Sequence, residues 1–177
     1  METAPDFAHL VPDVMLDAVE DALSCRMSGL ATPLPSYINR VYEVQTMTGE
    51  RLIAKFYRPG RWSREAIEEE HAFTLDCAAD EIPVVPPMQL PSGNTLHEAD
   101  GILFAVFPKR MGRQFELRSR TDWLRVGRLL GRLHVAGSRQ DATHRTNLHP
   151  EESTAAHIDF LIDNDTVAPS HRARFED

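Results

Sequence analysis

The fold of this chain is decided by one stretch, Arg40-Val-Tyr-Glu-Val-Gln-Thr46, Met47-Thr-Gly-Glu50 and Leu52-Ile-Ala-Lys-Phe-Tyr57. The two outer segments are rich in the β-branched and aromatic residues that favour strands. The short segment between them has the composition of a turn. We therefore predict a β-hairpin, and the rest of the chain is interpreted outward from it.

Helical patterns lie on both sides of this hairpin. The first begins at Pro12-Asp13 and is expected to end at Ser28-Gly29, and Ala31–Asn39 is then predicted to be a loop with two prolines. After the hairpin, Ser63 is suited to cap a second helix that continues to about Ala79. The hairpin is therefore predicted to lie between two helices in the chain order.

Strand patterns return after this second helix. Two strands are predicted around the turn Pro91-Ser-Gly-Asn94, followed by the continuous apolar run Ile102-Leu-Phe-Ala-Val-Phe107. Pro108 cannot donate to a strand ladder and is expected to close the last strand. These segments would extend the sheet that the hairpin begins.

The remaining periodic segments are helical. Thr121 or Asp122 is predicted to cap a helix that runs through Ala136, and Ala155–Ile162 has a short helical pattern. The complete order alternates helices with strands whose connections suit antiparallel pairing. We therefore predict an α+β fold with an antiparallel sheet.

Composition places the chain among ordinary globular proteins and excludes several functions. Of its 177 residues, 42% are hydrophobic and 26% are charged, and the net charge is -8. The 19 Lys and Arg residues are dispersed, so no basic face for nucleic acid is expected. A local basic segment near Arg58–Arg64 remains suited to a phosphate-bearing ligand.

Metal sites and membrane segments are not predicted. Cys25 and Cys77 are too few and too far apart for a disulfide framework, and there is no CxxC or HExxH motif. No apolar run approaches the roughly 20 residues of a membrane helix. The acidic start, which Pro5 and Pro12 interrupt, is unlike a signal peptide, so a cytoplasmic location is expected.

Two charged residues stand in apolar surroundings and are the first candidates for function. Lys55 lies within the second hairpin strand, where an ammonium needs a partner unless it faces water. Glu70 recurs on one helix face with Ala66, Phe73 and Cys77. Two interpretations are open: Lys55 is solvated on a two-faced strand and Glu70 on a helix flank, or the two side chains pair. A strand lysine that pairs with a helix glutamate is how kinases hold the lysine that contacts the phosphates of ATP.

Several segments resemble the bacterial stress-response kinase family. The likeness covers roughly Leu10 to Gly137, and the segments that carry it are Ser36-Tyr-Ile-Asn-Arg-Val-Tyr42, Ala54-Lys-Phe-Tyr-Arg-Pro-Gly-Arg-Trp62, Glu69-Glu-His-Ala-Phe73, Ile82-Pro-Val84, Phe104-Ala-Val-Phe-Pro108, Gly112-Arg-Gln-Phe-Glu116 and Gly127-Arg-Leu-Leu-Gly-Arg-Leu-His134. That family belongs with the aminoglycoside- and choline-phosphotransferases and phosphorylates serine and threonine on proteins.

The resemblance implies a nucleotide site in the first part of the chain. Lys55 would contact the phosphates, with Glu70 as its helix partner. A loop over the phosphates would contain Ser36, with Asn39 and Arg40 beside it, although no GxGxxG motif is present. Phe107 and its neighbours would form the hinge that offers backbone groups to adenine.

The family's catalytic loop has the form H-G-D-x-H-x-x-N and is followed by a metal-binding Asp. Neither motif occurs in this sequence, and His157-Ile-Asp159 is interpreted as a pair on a helix surface. We therefore expect no catalytic or metal-binding residue in this chain, with the ligands for Mg²⁺ beyond residue 177. The chain is expected to be a truncated kinase without activity of its own.

The resemblance also divides the chain and leaves two functions open. It implies a helical extension at 1–30, a nucleotide-binding small lobe at 31–108, and a hinge, linker helix and start of a second lobe at 109–177. The first hypothesis is the ATP-binding part of a kinase that acts on protein Ser or Thr, or on a small-molecule hydroxyl. The alternative is a non-catalytic interaction module. Both hypotheses are compatible with self-association of the chain through exposed apolar surface.

Overall fold

The computed structural model describes residues 7–112, 115–172 and 174. The chain divides into two compact units, Met1–His144 and Arg145–Asp177. The first unit contains the sheet and its helices, α1 (Pro12–Leu23), α2 (Arg64–Ala79) and α3 (Arg120–Gly137). In the second unit, α4 (Pro150–Asp163) precedes a short 3-10 turn at Pro169–His171. No helix in the described ranges has the length and apolar character needed to cross a membrane.

The strands of the first unit form one antiparallel sheet in the order β1-β2-β3-β5-β4. Their bounds are β1 (Met27–Leu34), β2 (Arg40–Thr46), β3 (Arg51–Phe56), β4 (His97–Ala99) and β5 (Ile102–Pro108). The predicted α+β fold with an antiparallel sheet is therefore confirmed. The predicted hairpin corresponds to β2 and β3, and the helix that begins after Ser63 corresponds to α2.

The main hydrophobic core lies between α1 and one face of this sheet. The fully buried rings of Phe56 and Phe104 stack at its centre, with their centroids 4.7 Å apart. From α1, Met15 and Val19 are also fully buried in this cluster. Apolar burial on this face fixes the sheet to α1 and leaves the opposite face for α2.

Two predicted boundaries near the start of the sheet are wrong. The first helix ends at Leu23, because Ser24 adopts a left-handed conformation with φ of 52° and its N–H donates to the carbonyl of Asp21. The first four residues of the predicted loop, Ala31 to Leu34, belong to strand β1, in which Pro33 pairs with Tyr42 of β2. Met27 is the one buried residue of β1, and its exposed and half-buried residues do not alternate, so no period of two marks it as a strand.

Three later predictions also differ from the structure. The segment before the Pro91–Asn94 turn is not a strand, although the N–H of Met88 bonds the carbonyl of Val106. Ser119 caps α3 in place of Thr121 or Asp122, and Asp122 instead completes a capping box with Ser119. The last predicted helix, Ala155–Ile162, extends to Pro150–Asp163.

Replacing the buried ring of Phe104 with alanine is expected to reduce the free energy of unfolding by roughly 3–5 kcal/mol. The loss comes from the removed apolar contacts with Phe56 and from the cavity left between the sheet and α1. Urea unfolding followed by circular dichroism measures the change. Phe115→Ala is the matched control, because that ring is 55% exposed, and an equal loss in both variants would contradict the assigned core.

Candidate functional site

The alternation of side chains along β3 places Lys55 on the sheet face away from α1. Leu52, Ala54 and Phe56 are buried against α1, so the intervening residues, Ile53 and Lys55, face the other side. Val41 and Ala105 are the register partners of Lys55 on the neighbouring strands β2 and β5. The ammonium is thus carried by a central strand whose backbone is paired on both sides.

Helix α2 brings a carboxylate to this ammonium. Ser63 begins the helix by accepting a hydrogen bond from the N–H of Ala66 at 3.2 Å. Two turns further on, Glu70 Oε1 lies 3.2 Å from Lys55 Nζ. The predicted pairing of Lys55 with Glu70 is therefore confirmed as a contact, while its role in binding nucleotide stays a prediction.

The Lys55–Glu70 pair is only partly shielded from water. The side chain of Lys55 is 26% exposed and that of Glu70 is 35% exposed. Lys55 Nζ also lies 4.5 Å from the centroid of the Tyr57 ring, within the range of a cation–π contact. A partly exposed ion pair contributes at most about 1 kcal/mol to stability. What the pair fixes is the position of an accessible ammonium.

The loop between β1 and β2 is held by two hydrogen bonds that involve predicted site residues. Ser36 Oγ accepts from the N–H of Asn39 at 3.3 Å, and Asn39 Oδ1 accepts from the N–H of Arg58 at 3.2 Å. The second bond joins this loop to the segment directly after β3. Ser36 is exposed, so its hydroxyl is accessible to a ligand.

Arg40 lies on the opposite face of the sheet from Lys55. Its register partner on β3 is Phe56, which is buried against α1, and paired residues point to the same face. Its guanidinium carbon is 5.7 Å from the centroid of the Phe7 ring. The structure therefore does not bring Arg40 to the ammonium of Lys55.

Phe107 lies on the same face as Lys55. Its register partner is Ile53, and its ring packs with Tyr57 and Ile67 in the small cluster beneath α2. Two residues later, Lys109 Nζ lies 2.5 Å from Glu43 Oε2, and Arg51 pairs with the other oxygen of that carboxylate. The predicted hinge residue thus lies beside a second ion cluster, which sequence reasoning did not find.

A buried histidine beside Glu70 was also missed. His71 is 2% exposed; its Nε2 lies 2.8 Å from the Tyr57 hydroxyl, and its Nδ1 lies 2.8 Å from Thr95 Oγ1. The pKa of His71 is lowered to about 4, chiefly by burial; the charge of Glu70 opposes this shift and that of Lys55 adds to it. Its position four residues after the buried Ile67 is the sequence signal that indicates an inward-facing residue.

The buried face of α2 is therefore rotated slightly from the predicted one. Ala66 and Cys77 are buried as expected, but Phe73 is 40% exposed and its place is taken by Ile67 and His71. Glu70 lies at the border of this face. A border position lets its carboxylate reach Lys55 while remaining in contact with water.

Residues for catalysis or metal binding were not predicted in this chain. His157 and Asp159 are both exposed on α4, which agrees with their interpretation as a surface pair. Within 7–112, 115–172 and 174, no three His, Cys, Asp or Glu residues come together as a metal site would require.

This architecture is similar to that of a known kinase. The solved structure of amicoumacin kinase hAmiN in complex with AMP-PNP, Ca²⁺ and Ami superposes with a TM-score of 0.63 and 18% sequence identity. The match covers 88% of this chain and 54% of that one. At this identity the likeness establishes a kinase-type fold.

The family follows from the sequence comparison. Residues 31–176 match the phosphotransferase enzyme family, so the chain belongs to that family. Stress response kinase A of Escherichia coli (strain K12) is 43% identical over 142 residues, which are 80% of this chain and 43% of that protein. Serine/threonine protein kinase RdoA of Salmonella typhimurium is 42% identical over 147 residues, 83% of this chain and 44% of that protein. This chain spans less than half the length of these relatives.

The buried His71 predicts a pH dependence of stability. Its pKa in the folded state is about 4, below the ordinary value of 6.5, so between these values the unfolded chain binds a proton that the folded chain does not. The free energy of unfolding should therefore fall as the pH is lowered from 6.5 towards 4, by at most about 1.4 kcal/mol per pH unit from this group. Urea unfolding at several pH values measures the slope.

The matched variants isolate the contribution of this histidine. His71→Gln should flatten the slope, whereas His134→Gln should leave it unchanged, because His134 is exposed on α3. Equal slopes for the wild type and His71→Gln would show that His71 does not stay neutral in the folded protein.

Proposed function

We propose that this chain is the nucleotide-binding portion of an ATP-dependent phosphotransferase. The observation that carries the proposal is the accessible ammonium of Lys55, 3.2 Å from Glu70 on the sheet face opposite α1. A carboxylate on one side of an ammonium orients it and leaves its remaining N–H donors for phosphate oxygens. The family and the kinase-type fold support the same function.

Each part of the proposed lobe has a defined task. Lys55 contacts the α- and β-phosphates of ATP, and the loop that contains Ser36 and Asn39 covers them with hydroxyl and amide groups. The chain that follows Phe107 offers backbone groups to adenine. Arg40 directly follows that loop at the start of β2, and its side chain supports the loop from the sheet face away from Lys55. In this scheme 1–30 is an extension, 31–108 is the nucleotide-binding lobe, and 109–177 is the hinge and the beginning of a second lobe.

The acceptor proposed for the whole protein is the hydroxyl of a protein Ser or Thr. Support comes from the relatives named stress response kinase A and serine/threonine protein kinase RdoA, which are more than 40% identical to this chain. A small-molecule hydroxyl is the second candidate, since the structural neighbour is an amicoumacin kinase. We place the protein in the cytoplasm, where ATP is available.

The proposed transfer of phosphate also involves a divalent metal ion. Mg²⁺ would neutralise phosphate charge during transfer, and its protein ligands would lie outside the present sequence. The residues of this chain contribute the ammonium and the loop donors. Their part is to bind and orient the phosphates.

Removing the Lys55 ammonium should weaken nucleotide binding. Lys55→Ala is expected to raise the dissociation constant for Mg²⁺-ATP about 10- to 100-fold, since a charge-assisted hydrogen bond contributes roughly 1.5–3 kcal/mol. Isothermal titration calorimetry on the 177-residue chain measures the change. Arg26→Ala is the control, because the side chain of Arg26 is 84% exposed and pairs with Glu20 of α1, outside the proposed nucleotide site. Equal affinity in the wild type and Lys55→Ala would remove the proposed role.

Nucleotide binding and phosphate transfer should be separable in this protein. The 177-residue chain should transfer no phosphate to protein or small-molecule acceptors, because its sequence lacks H-G-D-x-H-x-x-N. A longer chain that carries this loop should transfer the γ-phosphate of radiolabelled ATP, and Lys55→Ala should reduce that turnover by orders of magnitude. Phosphate transfer by the short chain would contradict the assignment. A longer chain that binds ATP but transfers nothing would favour a non-catalytic module.

A further inference from the structure

A buried network of hydrogen bonds lies next to the Lys55–Glu70 pair. Its centre is His71, which joins three segments of the first unit to α2. Tyr57, directly after β3, and Thr95, before β4, each lie 2.8 Å from one ring nitrogen. The ring of Phe107 on β5 meets the imidazole edge-on, with the centroids 6.2 Å apart.

This network adds directional contacts to the packing of α2, whose buried apolar residues are Ala66, Ile67 and Cys77. Beneath the middle of α2 the buried apolar cluster is small, with Ile67 as its contribution from the helix. Apolar contacts are non-directional, so a few of them allow a helix to turn about its axis. Hydrogen bonds require a narrow range of distance and angle. The two bonds of His71 therefore add a directional constraint that the apolar contacts of α2 do not supply.

The direction in which the His71 side chain leaves α2 also fixes the direction of the Glu70 side chain. Consecutive residues of an α-helix point about 100° apart around the axis. If His71 stays bonded to Tyr57 and Thr95, the carboxylate of Glu70 is held toward Lys55. A rotation large enough to withdraw Glu70 would break both bonds of the imidazole in a site where unpaired polar groups are costly.

Tyr57 connects the two halves of this arrangement. Its hydroxyl lies beside His71 Nε2, while its ring lies 4.5 Å from Lys55 Nζ. One side chain therefore contacts both the network and the ammonium. Lys55 is held by the ring below it and by Glu70 beside it, and the bonds of His71 align both contacts.

We propose that His71, with Tyr57 and Thr95 as its partners, is a positioning residue that holds α2 at the rotation in which Glu70 orients Lys55 for phosphate. The relevance to nucleotide rests on the proposed function, but the positioning is a property of the free chain. Loss of the network should displace Glu70 from Lys55 without removing either side chain.

The two lysines of this chain allow a direct test. Lys55 and Lys109 are its only lysines, so selective ¹³C labelling of lysine ε-carbons gives two NMR signals, which Lys109→Arg assigns. Glu70→Gln provides the signal of Lys55 without its charged partner. In His71→Leu we expect the Lys55 signal to move at least half of the way to that reference. The Lys109 signal should stay in place, because its partner is Glu43.

A milder pair of variants keeps the test decisive if His71→Leu fails to fold. Thr95→Val removes the hydroxyl beside Nδ1 and keeps the shape of the side chain, so it should move the Lys55 signal in the same direction by a smaller amount. Thr95→Ser retains the hydroxyl and should restore the wild-type signal. An unmoved Lys55 signal in folded His71→Leu, or in Thr95→Val if the former is unfolded, would overturn the proposal.

Nucleotide binding is measured separately on the same proteins. His71→Leu, or Thr95→Val if the former does not fold, should weaken the affinity for Mg²⁺-ATP about fivefold. This loss is smaller than that of Lys55→Ala, because the ammonium remains but is no longer oriented. A wild-type chain that binds no nucleotide would end the proposed function, whereas the NMR comparison would still report on the positioning. A moved Lys55 signal with unchanged affinity in a binding-competent chain would overturn the link between rotation and phosphate binding.

Discussion

The two faces of strand β3 are the constraint on which the rest of the first unit depends. Because successive side chains point to opposite sides, the same six residues supply the apolar core against α1 and the ammonium on the other face. A register shift of one residue would turn Lys55 into the core beside Phe104 and would turn Phe56 out of it. Core packing therefore protects the placement of Lys55.

The charged groups on the second face show how this sheet tolerates ions that are partly removed from water. Lys55 is placed between a carboxylate and an aromatic ring, and Glu43, with 5% of its surface exposed, is placed between Lys109 and Arg51. Both Lys55 and Glu43 thus have an opposite charge within contact distance. These pairs contribute little net stability, but they leave each cation in one defined position.

Local signals predicted the features whose causes are local. The hairpin follows from composition around a turn, α2 follows from the cap at Ser63, and the Lys55–Glu70 contact follows because charges in apolar segments need partners. His71 was missed because its partner Thr95 is 24 residues away and becomes a neighbour only after the sheet has formed. Strand β1 was missed because an exposed strand has no buried face to impose a period of two.

The exposed rim of the sheet has a consequence for the behaviour of this protein at high concentration. Among the described residues, β1 pairs with β2 alone and β4 with β5 alone, so these two strands form the edges. Pro33 interrupts the row of N–H donors along β1, Gly29, with φ of 88°, lies where its register shifts, and β4 has only three residues. Neither edge offers a long, regular backbone for a strand from another molecule. The architecture thus resists fibril-like growth by strand addition.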